Sequence, residues 1–572
     1  MAPLSDSIDR RQLFWFFLIA FVVLAAGMGL RDPWPADEPR FALAAKQMVE
    51  SGNWLIPHRG SELYSDKPPM FMASEAFFYT LTHSWRIAFL LPSLLAGLGM
   101  LGLVYDLGRR LWNPRVGLIA ATALLCTFQF MYQVKRAQID PSVSFFITLA
   151  NYGLLRHFLL GPDWRAYWLG CFAAGLGVIT KGVGVLALLL FLPYFFARWQ
   201  NWNNLPAIRG GTLRWLAGGL FLLLALALWL VPMLYAAHVH DEPEYRAYVH
   251  DILFRQTAGR YTDSWDHHQP WWYYFGVILF GWLPLSLVVP WLVPAWRERL
   301  AARDARTLLP LAWICLVVLF FTFPKGKRDV YIMPALPWLA LAAGPYLESI
   351  SQKPWVRRIA LGILLVLGLS ACCASLYAIL AHPKFAATLV EQRGFEDNGA
   401  GLWWLLIAIG GCLLMAAAVG RMRRAVPALL AGLAAMWLLW SLWAYPILND
   451  SSSAAGVMRH AGELIGPEAE LGMVAWKEQN LLHADRHATD FGFGRTWPQQ
   501  LALGATWLRE APQKRWLFIL DDAMGACVDK AKGTYVGHAN RREWWLIRAD
   551  ALRPDCDPAT QKINQNDDPN AP

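Results

Sequence analysis

Long apolar segments separated by short basic turns fill the first 446 residues of the chain. A transmembrane helix needs about 20 mostly apolar residues. The segment 166–197 is too long for one span and is interrupted at Thr180, Lys181 and Gly182. Dividing it into two helices keeps every Arg-rich turn on one side, which is then cytoplasmic. The sequence predicts about thirteen transmembrane helices: 13–30, 87–105, 116–131, 142–160, two within 166–197, 213–236, 271–291, 308–323, 330–346, 359–380, 402–419 and 426–446.

This topology places the amino terminus in the cytoplasm and three long segments on the outer face. The first outer segment contains amphipathic helices, and in one of them Phe41, Ala45, Met48 and Val49 share a face. We expect that helix to lie flat on the membrane. After residue 446, strand-like segments alternate with helical ones, which predicts a small α/β domain. The predicted organisation is a transmembrane domain at 1–446, with outer loops at 31–86 and 237–270, an outer α/β domain at 447–552 and a disordered tail at 553–572.

Composition agrees with a membrane protein. Hydrophobic residues make up 56% of the chain and charged residues 16%, whereas soluble domains have roughly 45–50% and about 25%. A mean hydropathy of +0.31 also requires a sizeable polar portion. Intrinsic disorder, collagen-like repeats and a small disulfide scaffold are excluded. The net charge of +9 does not indicate nucleic-acid binding, because Lys and Arg do not cluster in a soluble domain.

Cations lie at the outer ends of several predicted spans, where topology selection disfavours them. Ionisable groups at membrane depth usually mark a substrate site, and several cations at a lipid-water boundary suit a phosphate-bearing lipid. The alternative is that these side chains only extend toward lipid headgroups. The residues concerned are Lys135, Arg136, Lys181, Lys325, Lys327 and Arg328.

Acidic and aromatic side chains accompany these cations. Asp37 and Glu38 follow the first span, and Asp140 begins the fourth span beside Pro141. Helix N-capping is the alternative explanation for Asp37 and Asp140. The same outer segment also carries Arg40, Tyr64, Asp66 and Lys67.

A metal site and a disulfide are further hypotheses. Mixed His and carboxylate ligands suit zinc, although the sequence shows no tight ligand spacing and interfacial His residues are common without metal. The candidate ligands for a structural metal are Asp66, His267, His268 and His483 or His487. Cys527 and Cys556 lie in the outer domain, where an oxidising compartment permits a disulfide between them.

Several motifs resemble one family of membrane glycosyltransferases. In order they are 37–41, 50–57, 64–69, 136–141, 180–182, 267–274 and 325–334. Together they resemble the lipid A aminoarabinose transferases, which are GT-C glycosyltransferases related to protein O-mannosyltransferases. The resemblance covers about the first 340 residues, and the later spans match only in layout. This chain has Asp66 where relatives often carry Glu.

The resemblance implies a GT-C fold and a bacterial inner-membrane enzyme whose C-terminal domain is periplasmic. It implies an inverting transfer of a sugar, best matched by 4-amino-4-deoxy-L-arabinose, from undecaprenyl phosphate to a lipid A phosphate, with no required cofactor. By position, Asp37 is the catalytic carboxylate, and Lys67, Lys181 and Tyr331 line the donor-phosphate cavity. Family positions are also matched by Arg40, Tyr64, Arg136 and Asp140. We predict Asp140 as a second catalytic residue. The predicted substrate-binding residues are Glu38, Arg40, Tyr64, Lys67, Arg136, Lys181, Lys325, Lys327, Arg328 and Tyr331.

Other functions stay open at the level of the sequence. The donor sugar could differ, and the acceptor could be a protein or another envelope glycan. A lipid or solute transporter is the alternative from another class, but transporters show internal repeats and charges near the bilayer midplane. Asp37 would only orient an ionised phosphate acceptor or bind the donor amino group, whereas a hydroxyl acceptor would require it as general base. We expect a monomer that contacts membrane lipids.

Overall fold

The structure is a computed structural model that describes residues 9–240, 242–254, 267–395, 397–554 and 556–561. Helices dominate the part that precedes the C-terminal domain. They are α1 (Arg10–Ala25), α2 (Glu38–Ser51), α3 (Met70–Thr82), α4 (Trp85–Ala88), α5 (Leu91–Leu111), α6 (Pro114–Leu125), α7 (Phe128–Val134), α8 (Ile139–Leu160), α9 (Trp164–Lys181), α10 (Phe191–Trp199), α11 (Thr212–His240), α12 (Pro243–His250), α13 (Tyr273–Gly276), α14 (Val289–Ala301), α15 (Ala305–Thr322), α16 (Leu336–Ser351), α17 (Pro354–Ala381), α18 (Lys384–Arg393), α19 (Ala400–Gly420), α20 (Ala425–Leu439) and α21 (Tyr445–Ser453).

Each predicted span coincides with helical structure. By length and composition, eight of the described helices could cross a membrane, or up to ten if each sharply bent pair is one span. The other three predicted spans coincide with α1, α9 and Val183–Trp199, which fall short of the same length or hydropathy. The mainly helical, multi-span architecture is confirmed, and the number thirteen stays a prediction.

The predicted break at residues 180–182 is present. Helix α9 ends at Lys181, Gly182 adopts a φ of 63°, and a 3-10 segment (Val183–Leu190) follows. The chain folds back so closely that a Cβ on Gly184 would lie 2.2 Å from the carbonyl carbon of Gly177. Two Gly residues therefore allow the backbones to touch, which puts Lys181 at the tip of a helical hairpin.

The first outer loop lies beneath the C-terminal domain. It contains α2, α3 and a two-stranded ribbon of β1 (His58–Arg59) and β2 (Glu62–Leu63). Phe41, Ala42, Ala44 and Met48 of α2 are all buried in a core shared with the C-terminal domain. The expectation that α2 lies flat on the membrane is therefore wrong, because protein covers both its apolar stripe and its small-residue face.

The C-terminal domain is built on a five-stranded mixed sheet. The strand order is β4-β3-β5-β7-β6, with β3 parallel to β4 and β5, and β7 antiparallel to β5 and β6. This confirms the predicted α/β character. The strands are β3 (Glu470–Val474), β4 (Ala488–Asp490), β5 (Arg515–Leu520), β6 (Thr534–Ala539) and β7 (Arg542–Ile547), and the helices are α22 (Ala455–Ile465), α23 (Glu478–Leu482), α24 (Trp497–Glu510) and α25 (Asp521–Met524).

A disulfide joins Cys527 to Cys556, as predicted, with 5.2 Å between their Cα atoms. A short 3-10 turn follows at Pro558–Thr560, and Pro558 is buried. The disorder predicted from residue 553 is therefore wrong for the described part of this segment, because the covalent link and the buried proline hold it to the domain. Residues 555 and 562–572 lie outside the described residues.

Candidate active site

A cavity of about 330 Å³ gathers polar side chains from separate parts of the chain. Lys67 comes from the loop before α3, Asp140 from the first turn of α8, Lys181 from the hairpin tip, and Tyr331 from the 3-10 segment before α16. Apolar residues, including Trp229 of α11, form much of the remaining wall. Of the six cations that the topology placed on this face, only Lys181 is among the described lining residues, so their predicted convergence on one cavity is wrong for the others, and Lys67 provides the second ammonium group.

Asp140 and Lys181 form an ion pair across the cavity wall. Lys181 Nζ lies 2.5 Å from Asp140 Oδ1 and 5.0 Å from the centre of the Tyr331 ring. No side chain caps the start of α8 by a hydrogen bond, so the capping explanation for Asp140 does not hold. The pair fixes an ammonium group in the wall of the cavity.

Asp37 occupies the N-cap position of α2 but makes no capping hydrogen bond. Its Oδ2 instead accepts from Arg328 Nη2 at 2.9 Å and from Gln138 Nε2 at 3.5 Å. Burial opposes ionisation of this carboxyl, but Arg328, Arg40 and Lys181 together hold its pKa below the ordinary value. Asp37 is therefore a stable carboxylate within electrostatic reach of the cavity ammonium.

Glu38 does not face the cavity, which corrects its prediction as a substrate ligand. Its side chain is fully buried and forms two bonds with Arg31, at 2.5 and 2.7 Å. The backbone N–H groups of Trp34 and Ala137 also donate to it. These four bonds occupy both carboxylate oxygens, so Glu38 anchors the loop that carries Asp37.

The turn 135–140 connects several of these contacts. Lys135 Nζ donates to the carbonyls of Val23, Leu24 and Ala26 at the end of α1. The same turn provides the Ala137 N–H for Glu38, the Gln138 amide for Asp37 and the Asp140 carboxylate for Lys181. Lys135 is thus a structural cation, since its amino group is bound to backbone carbonyls and buried.

Arg40 and Tyr64 lie between Asp37 and the C-terminal domain. Arg40 Nε donates to Glu478 Oε1 at 2.9 Å. Burial opposes the charge of Arg40, but Glu478 and Asp37 keep its pKa above the ordinary value. Tyr64 is buried, and burial raises the pKa of its hydroxyl. Neither residue lines the cavity, so their predicted contact with substrate is not visible in this arrangement.

Three other predicted cations, Lys327, Lys325 and Arg136, do not line the cavity. Lys327 is buried, and its amino group donates to the carbonyls of Gln269 and Pro324. The prediction that Lys327 binds substrate is therefore wrong, because those bonds shape the turn. Lys325 is exposed on the same turn and does not line the cavity. Arg136 is half-buried and donates to the Tyr132 hydroxyl at 2.9 Å.

The predicted metal ligands are not assembled. Among the described residues, no group of three or more His, Cys, Asp or Glu side chains could hold a metal ion. Asp66 and His267 line the cavity, whereas His268 is exposed. His483 lies elsewhere, near Asp32, and burial lowers its pKa to about 4. The predicted set is therefore not assembled as a whole, because His483 lies apart while Asp66 and His267 share the cavity.

Comparison with known proteins decides the family. The family model for dolichyl-phosphate-mannose-protein mannosyltransferase matches residues 66–233. An undecaprenyl phosphate-α-4-amino-4-deoxy-L-arabinose arabinosyl transferase of Pseudomonas aeruginosa is 30% identical over 450 residues, which cover 75% of each chain. A transferase of the same name from Pseudomonas paraeruginosa is 31% identical over 452 residues, again 75% of each chain. The chain belongs to this family of arabinosyl transferases.

The fold agrees with that membership. ArnT from Cupriavidus metallidurans, crystallised with undecaprenyl phosphate, superposes with a TM-score of 0.74 at 20% identity, covering 96% of this chain and 100% of that one. At this identity the likeness concerns the fold alone. This arabinosyl transferase family member is a multi-pass inner-membrane glycosyltransferase of GT-C type, as the sequence motifs predicted.

Two residues that contact predicted site residues, Gln138 and Glu478, were not predicted from the sequence. Gln138 contacts Asp37 and lies in the chain between Arg136 and Asp140, which were both predicted as site residues. Glu478 contacts Arg40 from a domain 438 positions further along the chain. Its position in the chain, between two predicted site residues, could have indicated Gln138. Nothing local indicated Glu478, because the pairing depends on how the C-terminal domain docks.

Proposed function

We propose that this transferase moves 4-amino-4-deoxy-L-arabinose from undecaprenyl phosphate to a lipid A phosphate at the outer face of the inner membrane. The observation that carries the proposal is the cavity where Lys67 and Lys181 meet an apolar wall beside the Asp37 carboxylate. A lipid with an anionic head and an apolar tail suits such a cavity. The names of the relatives support the donor and its sugar.

The cations would act on the leaving group. As the sugar departs, negative charge develops on the polyprenyl phosphate, and fixed cations stabilise that charge more strongly in a site that excludes water. Lys67 and Lys181 provide the ammonium groups, and Asp140 holds Lys181 in place. The phosphate leaves as an anion, so the reaction needs no strong general acid.

The acceptor is inferred from the state of Asp37. Since Arg328 and Arg40 hold the pKa of Asp37 low, this carboxylate is a weak base. A phosphate oxygen is already ionised near neutral pH and needs only positioning, whereas a hydroxyl needs its proton removed. The low pKa therefore supports a phosphate acceptor in a single inverting displacement, with Asp37 orienting a substrate or binding the donor amino group.

A protein hydroxyl is the second candidate acceptor. The match of residues 66–233 to the protein mannosyltransferase family model favours it. In that case Asp37 would have to release Arg328 and serve as base. An experiment that detects the glycosylated product can therefore distinguish a lipid A phosphate from a protein hydroxyl as the acceptor.

The orientation that we propose places the amino terminus in the cytoplasm and the C-terminal domain in the periplasm. Lys181 of the cavity ends α9, whereas Arg165 lies in the first turn of the same helix, so the Arg-rich turn before α9 is at the opposite helix end, which the charge rule assigns to the cytoplasm. The Cys527–Cys556 disulfide supports an oxidising compartment for the C-terminal domain. We further propose that the transferase acts as a monomer.

Mass spectrometry of lipid A and of envelope glycoproteins tests the proposal. We expect a lipid A species carrying one extra aminoarabinose to disappear on gene deletion and to return with the wild-type gene. Asp522→Asn, an exposed acid of the C-terminal domain, should restore it fully, and Asp37→Ala should not. Unchanged lipid A with a lost glycoprotein would favour the protein acceptor, and unchanged glycans with altered solute uptake would favour a transporter.

A further inference from the structure

A second and larger cavity, of about 740 Å³, lies among the ends of the helices opposite to the candidate active site. Helices α6, α16, α17 and α20 and the segment 284–291 enclose it. Its wall is mostly apolar, with Leu118, Trp291 and Ile363 as examples. No part of the proposed transfer uses this cavity.

The cavity has the depth of one membrane leaflet. It extends along α6 from Arg115 to Cys126. At a rise of 1.5 Å per residue this is about 16 Å, and half of a hydrocarbon core is about 15 Å. Leu118 and Val288 are only partly buried, so the cavity reaches the lipid-facing surface. Its dimensions therefore suit an acyl chain.

Two Arg side chains and one Glu lie at the mouth of the cavity. Arg115 lines it in contact with Glu348. Arg357 donates to the carbonyl of Ser351, which also lines the cavity, at 3.4 Å. Glu348 is the one acid among the described lining residues. Arg11 precedes the lining residue Gln12, and Arg424 lies two positions before the lining residue Val426.

We propose that this cavity binds an anionic glycerophospholipid, with one acyl chain in the apolar wall and the phosphate at the mouth beside Arg115 and Arg357. Basic pockets between transmembrane helices recognise anionic head groups in this way. An acyl chain suits the apolar wall, and the guanidinium groups of Arg115 and Arg357 at its entrance suit a phosphate. The site lies on the opposite membrane face from the transfer reaction and does not depend on the proposed function.

Native mass spectrometry of the full-length protein in detergent tests this site. Phosphatidylglycerol, cardiolipin, phosphatidylethanolamine and glycerol phosphate without acyl chains are titrated separately. We expect the two anionic lipids to bind, phosphatidylethanolamine to bind less well, and glycerol phosphate to fail. In the double variant Arg115→Gln with Arg357→Gln, affinity for phosphatidylglycerol should fall by about thirtyfold, or about fivefold for each basic side chain.

Matched variants make the test specific. Arg198→Gln with Arg209→Gln removes two exposed Arg residues predicted on the same membrane face and should leave affinity unchanged. Ala123→Trp fills the cavity from α6 and should abolish binding of both anionic lipids. Leu287→Trp fills it from the facing segment and replaces Ala123→Trp if that variant does not fold. Equal binding of phosphatidylethanolamine, or full binding in the filled variants, would overturn the proposal.

Discussion

Two neighbouring acids, Asp37 and Glu38, have different roles in this transferase. Glu38 is closed off by Arg31 and two backbone N–H groups, whereas Asp37 pairs with Arg328 beside the cavity. The sequence indicates that both acids follow the first span, but not which one is enclosed. That choice depends on the turn 135–140, a hundred residues away, so no local pattern could reveal it.

Replacing Asp37 with Asn should lower transfer by about 100-fold, the cost of misplacing a reacting group by about 1 Å. The ion pair with Arg328 is lost, while the size of the side chain is kept. Initial rates with purified enzyme and both lipid substrates measure the loss. Asp522→Asn is the control. A loss near 10,000-fold would instead assign general-base catalysis to Asp37.

The pH dependence of transfer should show no acid limb from Asp37 between pH 5 and 8. An unperturbed Asp has a pKa of about 3.9, and Arg328 and Arg40 lower that of Asp37 further, against the effect of burial. The carboxylate therefore stays ionised throughout this range, and its contribution is lost only at more acidic pH. Rates at constant ionic strength test this. A limb that is present in the wild type and absent from Asp37→Asn would contradict it.

Replacing Lys181 with Met should lower kcat by about 100- to 1,000-fold, as loss of one fixed donor to a developing anion does elsewhere. Lys181 is a cation of the cavity and is held by Asp140. Lys181→Arg should recover part of the rate because it keeps the charge. Lys384→Met, at an exposed position outside the cavity, is the matched control. Wild-type kcat in Lys181→Met would exclude Lys181 from catalysis.

Among the elements, the hairpin at Gly182 was the most predictable from sequence. Segment length and the side preference of Arg required a reversal there, and the structure has one. The burial of α2 between other parts of the protein could not be predicted in the same way. Its apolar stripe is compatible with a membrane surface, but Ala42 and Ala44 on other faces let protein pack closely around it. Small residues give weak hydropathy signals, so the pattern understated how enclosed this helix is.

Gly184→Ala should destabilise the hairpin by about 1–3 kcal/mol, a typical cost of overpacking. The added Cβ would lie 2.2 Å from the carbonyl carbon of Gly177, so one backbone must move. Thermal unfolding in detergent measures the effect. Gly219→Ala in α11 is the control, since its Cβ would meet nothing within 4 Å. Equal melting temperatures for the two variants would show that the backbones are further apart.

At the scale of the whole molecule, the C-terminal domain is attached to the first outer loop through polar contacts. Arg40 binds Glu478, Ser61 Oγ donates to Asp490 at 2.8 Å, and the Gly494 N–H donates to Glu62. The sequence predicted the first outer loop and the C-terminal domain but not the interface between them. None of the paired residues stands in a sequence pattern that would indicate its partner. The domain therefore orients Arg40, which in turn lies near Asp37.

Glu478→Gln should reduce transfer without dissociating the domain. The charge that holds Arg40 is lost, while a hydrogen bond to the amide oxygen is still available, so we expect a loss of about 1 kcal/mol in stability, the difference between a charged and a neutral hydrogen bond. Rates and thermal unfolding are measured together. Glu463→Gln, an exposed acid in the same domain, should change neither. A normal rate in Glu478→Gln would show that Arg40 keeps its position unaided.

Several contacts of the site depend on the single turn 135–140. Six consecutive residues fasten the end of the first helix, seat the buried acid and support both charged groups that would meet the two substrates. A substitution that shifts this turn would therefore displace the groups at the donor and acceptor ends together, even though it contacts neither lipid.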